Sequence, residues 1–216
     1  MTPADVIVDV RQLIQDTKVP YRYSDTVLLG FVNQTLKRMC VLRPDLFVTI
    51  TSISTTPNTF VQTLPAGAVR LVEIFAVQNG AAVDEVDRDE ANRAYPTWTN
   101  ATPGIPTKYM RHPRNPIQYF LSPAPTAGVV LIGEYVQSPA SYGISATIAN
   151  LPDAYFSVLV DGTVFLAESI DNEHVNSGRA KLFMDSFIQT LGVSLQSRTV
   201  TDLEDGGMTA PQRSPT

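Results

Sequence analysis

The sequence has a single cysteine, Cys40, among 216 residues. A disulfide within the chain and a cysteine-based zinc cluster within the chain are therefore excluded, and a reducing compartment fits the composition. Cys40 falls on the apolar stripe of a predicted helix. We interpret it as a small buried hydrophobic residue rather than a reactive thiol.

Runs of lysine and arginine are missing, and the formal net charge is −5. A basic face that neutralises phosphates, which drives nucleic-acid affinity, is therefore not expected. An acidic surface repels DNA, which suits a protein that lets DNA slide past without sticking. We expect no specific DNA binding.

Long apolar runs are missing as well. No segment approaches the roughly 20 residues of a membrane span, and the N-terminus lacks a basic region followed by an apolar one. We therefore expect neither export nor membrane insertion. With 44% hydrophobic and 17% charged residues, the balance is that of an ordinary globular protein.

Enzyme signatures are scarce. Neither His112 nor His174 has the spacing of a zinc site or a Gly-x-Ser-x-Gly companion. Gly104, Gly128 and Gly206-Gly207 fall in turns or near the C-terminus rather than at a strand-to-helix junction, so a phosphate-binding loop is not indicated. We expect no enzymatic activity, no cofactor and no metal ion.

One acidic group offers an alternative to that expectation. Five acids lie between Asp84 and Glu90, and a pair such as Asp87 and Glu90 has the chemistry for glycoside cleavage. On a helix, however, these acids spread around the surface, with Arg88 and Arg93 among them to screen their charge. We prefer a solvated face and keep a cell-wall glycosidase as an alternative.

Helices are predicted at the start of the chain. Thr2, Pro3 and Asp5 form a helix start, and Ser24 followed by Asp25 opens a second helix. Apolar residues recur at helical spacing in both segments. Residues 1–46 are therefore predicted to form a helical hairpin.

Residues 47–139 are predicted to form an inserted β domain. β-branched and aromatic residues are punctuated there by proline, glycine and asparagine. The predicted strands lie near Val48–Ser54, Thr59–Leu64, Val69–Val77, Lys108–His112, Ile117–Leu121 and Val129–Val136. Six short strands indicate a small antiparallel β-sandwich or a curled sheet.

Two further elements are predicted inside this β domain. Residues 83–95 (VDEVDRDEANRAY) predict a short acidic helix, and the loop PTWTNATPGIP follows it. Prolines and Gly104 exclude regular structure in this loop. Trp98, the only tryptophan, is predicted to anchor the loop to the sheet.

The chain is predicted to return to helix over residues 140–198. One helix starts at Leu151-Pro152-Asp153, where Gly162 permits close packing, and another starts near Asn176. These helices complete an antiparallel bundle of about four helices, which makes the fold class α+β. Residues 199–216 have few large apolar residues and are predicted to form a mobile tail.

Four segments then occur in a distinctive order. They are LPAGAVRLVEIFAV, YPTWTNATPGIPTKYM, YFLSPAPTAGVVLIGEYVQSP and LPDAYFSVLVDGTVFLAESI. With the preceding helical hairpin, this order resembles the head-to-tail adaptor (connector) family of tailed bacteriophages, and is similar to tail tubular protein A of short-tailed phages.

The resemblance implies a structural virion protein of the tail or neck that is assembled in the host cytoplasm. Members of the family form a ring of about twelve copies beneath the portal protein, extend the DNA channel and support the tail nozzle, a protein like tail tubular protein B. Two alternatives stay open. The first alternative is another neck or tail-completion protein, and the second is a virion-associated peptidoglycan glycosidase.

The resemblance also suggests contact residues. The tail is predicted to become ordered on the portal protein, because a segment without its own core gains structure only from a partner. The residues predicted to dock on the portal protein are Leu195, Arg198, Thr199, Val200, Leu203 and Met208. Trp98, Pro123 and Pro125 are predicted to contact a tail partner or a neighbouring copy. The prolines would stiffen a turn between two strands, although a plain hairpin turn explains them equally well.

Overall fold

The computed structural model describes residues 1–149, 151–170 and 177–192, and over these residues the fold is α+β, with five helices and two sheets. The helices are α1 (Pro3–Leu13), α2 (Asp25–Leu42), α3 (Arg88–Ala94), α4 (Phe156–Glu168) and α5 (Ser177–Thr190). The strands are β1 (Val48–Ser54), β2 (Val61–Thr63), β3 (Ala68–Val77), β4 (Asp84–Glu85), β5 (Lys108–Arg111), β6 (Gln118–Ser122) and β7 (Val130–Gln137). The predicted α+β class is confirmed.

The chain divides into two compact units. Met1–Leu42 and Tyr142–Thr216 form what we call the helical unit, and Arg43–Ser141 form the β unit. The sequence places these boundaries at 46/47 and 139/140. The predicted tail, residues 199–216, lies outside the described residues.

The helical unit is organised around α4, which contacts α1, α2 and α5. Nine of the 13 residues of α4 are buried, and most of these nine are apolar, because α4 has neighbours on several sides. The start of α1 is as predicted. The Asp5 N–H donates to Thr2 Oγ1 at 3.3 Å, and the Thr2 N–H donates to the Asp5 carboxylate at 2.8 Å. The Thr2 hydroxyl also donates to Asp5 Oδ2 at 2.8 Å, and this bond, followed by the one from the Thr2 N–H, lowers the pKa of Asp5.

Gly162 permits the closest approach to α4. A Cβ atom placed on Gly162 would lie 2.5 Å from Thr35 Cγ2 of α2 and 2.9 Å from ring atoms of Phe187 of α5. Both distances are far inside van der Waals contact. The prediction that this glycine permits close helix packing is therefore confirmed.

A buried ion network joins α1 to the start of α2. Arg11 Nη1 donates to Asp16 Oδ2 at 2.7 Å, and Arg11 Nη2 donates to Asp25 Oδ1 at 2.6 Å and to the Tyr23 carbonyl at 2.8 Å. Asp16 also accepts from the backbone N–H of Arg22 at 2.7 Å. Arg11 is 8% exposed and Asp16 is 7% exposed. The connection is therefore fixed by buried charge pairing.

The β unit contains two sheets around a shared core. One sheet has the order β1-β7-β3 and is antiparallel, and the other has the order β2-β6-β5-β4. The pair β4–β5 is parallel, which the prediction of an antiparallel sheet missed. The shared core includes Ile53, Ile74, Leu131, Tyr109 and Tyr119.

The helix predicted over residues 83–95 is only partly correct. Residues 84–85 form β4, and the helix begins at Arg88. The Asp87 carboxylate caps it, accepting from the N–H of Asp89 at 2.7 Å and of Glu90 at 3.3 Å. Backbone pairing with β5 outcompetes helix formation before Asp87. The following loop contains a short 3-10 turn at Trp98–Asn100, although no regular structure was expected there.

The segment between β6 and β7 is not a hairpin turn. β6 belongs to the four-stranded sheet and β7 to the three-stranded sheet, so the segment carries the chain from one sheet to the other. The alternative of a plain hairpin turn between these two strands was therefore wrong. Pairing partners are set by the sandwich core, which sequence pattern alone does not reveal.

Tyr119 carries an unpaired polar atom in this core. The side chain is fully buried, and its hydroxyl has no hydrogen-bond partner among the described residues. Burial raises the pKa of Tyr119. Because an unsatisfied buried hydroxyl carries a desolvation cost, Tyr119→Phe is expected to raise the free energy of unfolding by about 1 kcal/mol. Urea denaturation measures this, and a loss of stability would contradict it.

Candidate assembly surfaces

Trp98 holds the loop after α3 against the second sheet. Its indole N–H donates to Asn92 Oδ1 at 2.8 Å. Its ring centroid lies 5.4 Å from that of Phe60 and 5.9 Å from that of Phe120. The predicted anchoring role is confirmed. Only 8% of Trp98 is exposed, which leaves little of the side chain for the predicted contact with a partner.

The prolines of the crossover segment are also largely covered. Pro125 is buried and Pro123 is half-buried. Gly104 pairs with this segment: its N–H donates to the Ala124 carbonyl at 2.8 Å, and its carbonyl accepts from the Thr126 N–H at 3.1 Å. The exposed part of the segment is residues 126–128. The predicted contact of Pro123 and Pro125 with a tail partner or a neighbouring copy stays a prediction.

The predicted portal-docking residues are not among those described. These are Leu195, Arg198, Thr199, Val200, Leu203 and Met208, which all follow Gly192, the last described residue. Their role stays a prediction.

The acidic group near α3 has structural roles. Glu85 pairs with Arg111, with Oε1 and Nε 2.7 Å apart, and accepts from the Tyr109 hydroxyl at 2.7 Å. Burial, and then the hydrogen bond to Glu85, raise the pKa of Tyr109 to about 12. Asp87 caps α3, and Glu90 is exposed. Because general-acid carboxyls need a desolvated pocket, this exposed group offers poor support for glycosidase chemistry.

His112 also has a structural role. Its Nδ1 accepts from the backbone N–H groups of Arg114 at 3.2 Å and Asn115 at 2.9 Å, and its ring lies 5.3 Å from that of Phe120. His174 lies outside the described residues. Within the described ranges, no three His, Cys, Asp or Glu side chains form a group that could hold a metal ion.

Strand β1 has one side without a neighbouring strand, because it lies at the edge of its sheet. The Thr55 N–H donates to the Val129 carbonyl, so the backbone of Val129 points towards the β1 side. The Gln78 N–H donates to the Val130 carbonyl, so the backbone of Val130 points towards the β3 side. Since backbone groups alternate in direction, every second residue of β1 points its N–H and C=O away from β7. These outward residues are Val48, Ile50, Ser52 and Ser54.

The edge of β3, by contrast, is covered. The Leu71 N–H donates to the Pro116 carbonyl, the Val77 N–H donates to the Ala81 carbonyl, and the Phe75 carbonyl accepts from Val83. β3 also has three register irregularities, which protect edges. In the other sheet, the edge strands β2 and β4 have only three and two residues.

Strand β1 is therefore the open edge of the β unit within the described residues. It has seven residues (VTITSIS) without charge or proline, and Ile50 is 64% exposed. Such an edge is a template for an added strand. Sequence reasoning placed the strand but not its position at an open edge, because nothing in its pattern tells an edge strand from a central one.

Comparison with known proteins identifies the family. The family model of the SU10 adaptor protein matches residues 1–213, and no curated protein matches the chain. Among the described residues, no helix is both long and apolar enough to cross a membrane. The match indicates a structural phage protein that interacts with other neck proteins. The closer resemblance to tail tubular protein A stays a prediction. Because the match covers nearly the whole sequence, the chain belongs to the SU10 adaptor protein family.

Proposed function

We propose that the protein forms a ring beneath the portal, extends the DNA channel and supports the tail nozzle. The observation that carries this proposal is the adaptor family match over residues 1–213. About twelve copies, joined by head-to-tail contacts, would close such a ring. The net charge of −5 favours passage of DNA without binding.

In this proposal the helical unit builds the ring wall. Helices α1, α2, α4 and α5 act as an antiparallel bundle, and the tail from Thr199 docks on the portal protein. The ring is assembled in the host cytoplasm and becomes part of the virion. The protein is not an enzyme and uses no cofactor.

The edge of β1 is assigned to the tail nozzle. A second copy cannot pair through its β3, β2 or β4 edge, because these edges are covered or very short. Pairing β1 with β1 would give a two-fold dimer rather than a ring. Since the described edges of a second copy offer no matching strand, we assign the β1 edge to an extended segment of a different virion protein, the nozzle, which adds as a strand.

The variant Ile50→Lys tests this assignment. Lysine at an exposed edge position discourages strand addition, so nozzle binding is expected to weaken by about tenfold. The fold should be unaffected, because Ile50 is 64% exposed. Titration of the assembled portal–adaptor ring with labelled nozzle protein measures the affinity.

The matched control is Val69→Lys, which places lysine on the other edge strand of the same sheet. Val69 is 40% exposed, and the edge of β3 is already covered. This control is expected to bind the nozzle like the unmodified protein. Equal affinities of the Ile50→Lys and Val69→Lys variants for the nozzle protein would contradict the assignment of the β1 edge to the nozzle.

Imaging of the purified protein mixed with the cognate portal, by cryo-electron microscopy, tests the function itself. A closed ring on the portal, with residues after 192 contacting portal subunits, is expected. Association at another position in the tail would favour the alternative of a neck or tail-completion protein. Cleavage of purified peptidoglycan by the protein would instead revive the glycosidase alternative.

A further inference from the structure

An open groove runs along the helical unit between α2 and α5. Its volume is about 420 Å³, and we call it the α2–α5 groove. Its lining residues are Gln34, Lys37, Arg38, Val41, Leu42, Met184 and Phe187. Val41 is 78% exposed, although it is apolar. The groove thus leaves an apolar surface open to solvent.

Two cations lie on the same groove. Lys37 is exposed, and the Arg38 guanidinium lies 5.4 Å from the centre of the Phe165 ring. Neither cation has an ion-pair partner within the described parts of the chain. The chemistry of the groove therefore fits an apolar side chain that is flanked by carboxylates.

The chain carries such a segment beyond its described part. The sequence at residues 202–205 is Asp-Leu-Glu-Asp, in which three acids surround Leu203. No proline or glycine lies between Gly192 and this segment. Its charge is opposite to that of Lys37 and Arg38.

The position of the groove also favours this occupant. Met184 and Phe187 lie on the last two turns of α5, which ends at Thr190. The chain between Gly192 and Leu203 can span roughly 35 Å when extended. Met184 is only about 9 Å from the end of α5 along the helix axis. The segment can therefore reach the groove of its own chain.

We propose that Asp202–Asp205 docks in the α2–α5 groove of its own chain. Leu203 covers the apolar surface at Val41, and the acids pair with Lys37 and Arg38. The contact does not require the ring. Leu203 is also among the predicted portal-docking residues, so the groove and the portal compete for it. This competition is the only part of the inference that rests on the proposed function.

Site-specific photo-crosslinking of the full-length protein tests the proposal. A benzophenone amino acid at position 203 is expected to crosslink to residues 34–42 or 184–187 in a product of monomer mass. The control has the same probe at Gln212, which lies outside the acidic segment. Its crosslinks to residues 34–42 and 184–187 are expected to be weaker than those from position 203 by about fivefold or more. In 1 M salt the crosslinks from position 203 should also decrease, since screening weakens the ion pairs.

A charge exchange provides the second measurement. Lys37→Glu should reduce the crosslink severalfold, and adding Asp202→Lys should restore it. Lys37 is exposed, so its substitution leaves the fold intact, which circular dichroism checks. Crosslinks of dimer mass alone would assign the groove to a second copy and overturn the proposal. Absence of groove crosslinks, or a failure of the restoring variant, would overturn it as well. Ring formation on the portal is a separate measurement.

Discussion

Replacing Arg11 with methionine is expected to lower the free energy of unfolding by about 3–5 kcal/mol. Methionine fills a similar volume but leaves Asp16, which is 7% exposed, without its 2.7 Å partner. A buried carboxylate without its counter-ion is costly, because the protein interior solvates charge poorly. The carbonyl of Tyr23 also loses a donor. Urea denaturation followed by circular dichroism measures the loss.

The matched control is Arg88→Met. Arg88 lies 3.8 Å from Asp89 in an exposed pair, so its replacement is expected to change the stability by about 0.5 kcal/mol or less. The double variant Arg11→Met with Asp16→Asn should recover part of the loss, because it removes the buried charge. Similar values for Arg11→Met and Arg88→Met would show that the buried network does not stabilise the fold.

The second large effect is expected for Gly162→Ala. In an isolated helix, alanine is favoured over glycine by about 1 kcal/mol. In α4 the added Cβ would lie 2.5 Å from Thr35 Cγ2 and 2.9 Å from the Phe187 ring, and both of these side chains are buried. Overpacking of this kind outweighs helix propensity, so a net loss of about 1–3 kcal/mol is expected.

The variant Gly30→Ala distinguishes the effect of helix propensity on stability from the effect of packing. Gly30 lies inside α2, and a Cβ atom there would have no neighbour within 4 Å. Alanine at this position is expected to raise the free energy of unfolding by about 0.5–1 kcal/mol. Thermal and urea denaturation of the two variants should give opposite signs. The same sign for both would mean that α4 moves to accommodate the methyl group.

Local patterns predicted most of the helices and strands. The cap at Thr2 works because its partner, Asp5, is only three residues away. The strand expected near Val69–Val77 is observed at Ala68–Val77, because β-branched and aromatic residues are frequent in it. The acidic helix was predicted too long, because the pairing partner of residues 84–85 lies more than twenty residues away.

The candidate surfaces were less accessible to prediction. Trp98 was correctly interpreted as an anchor, because a lone aromatic side chain in a loop gains most from burial. Pro123 and Pro125 were placed in a turn between two strands, with a plain hairpin turn as the alternative, but these two strands belong to different sheets. The open edge of β1 was not anticipated, because the position of a strand within a sheet depends on every other strand.

The sequence by itself determined the α+β class, the main element bounds and the order of motifs that resembles a phage adaptor. These features depend on interactions between residues a few positions apart, whose spacing the chain itself displays. Tertiary structure alone decided which strands pair, which edge stays open, and that Arg11 meets Asp16 in a buried network. Such pairings depend on distant residues that meet only when the cores form.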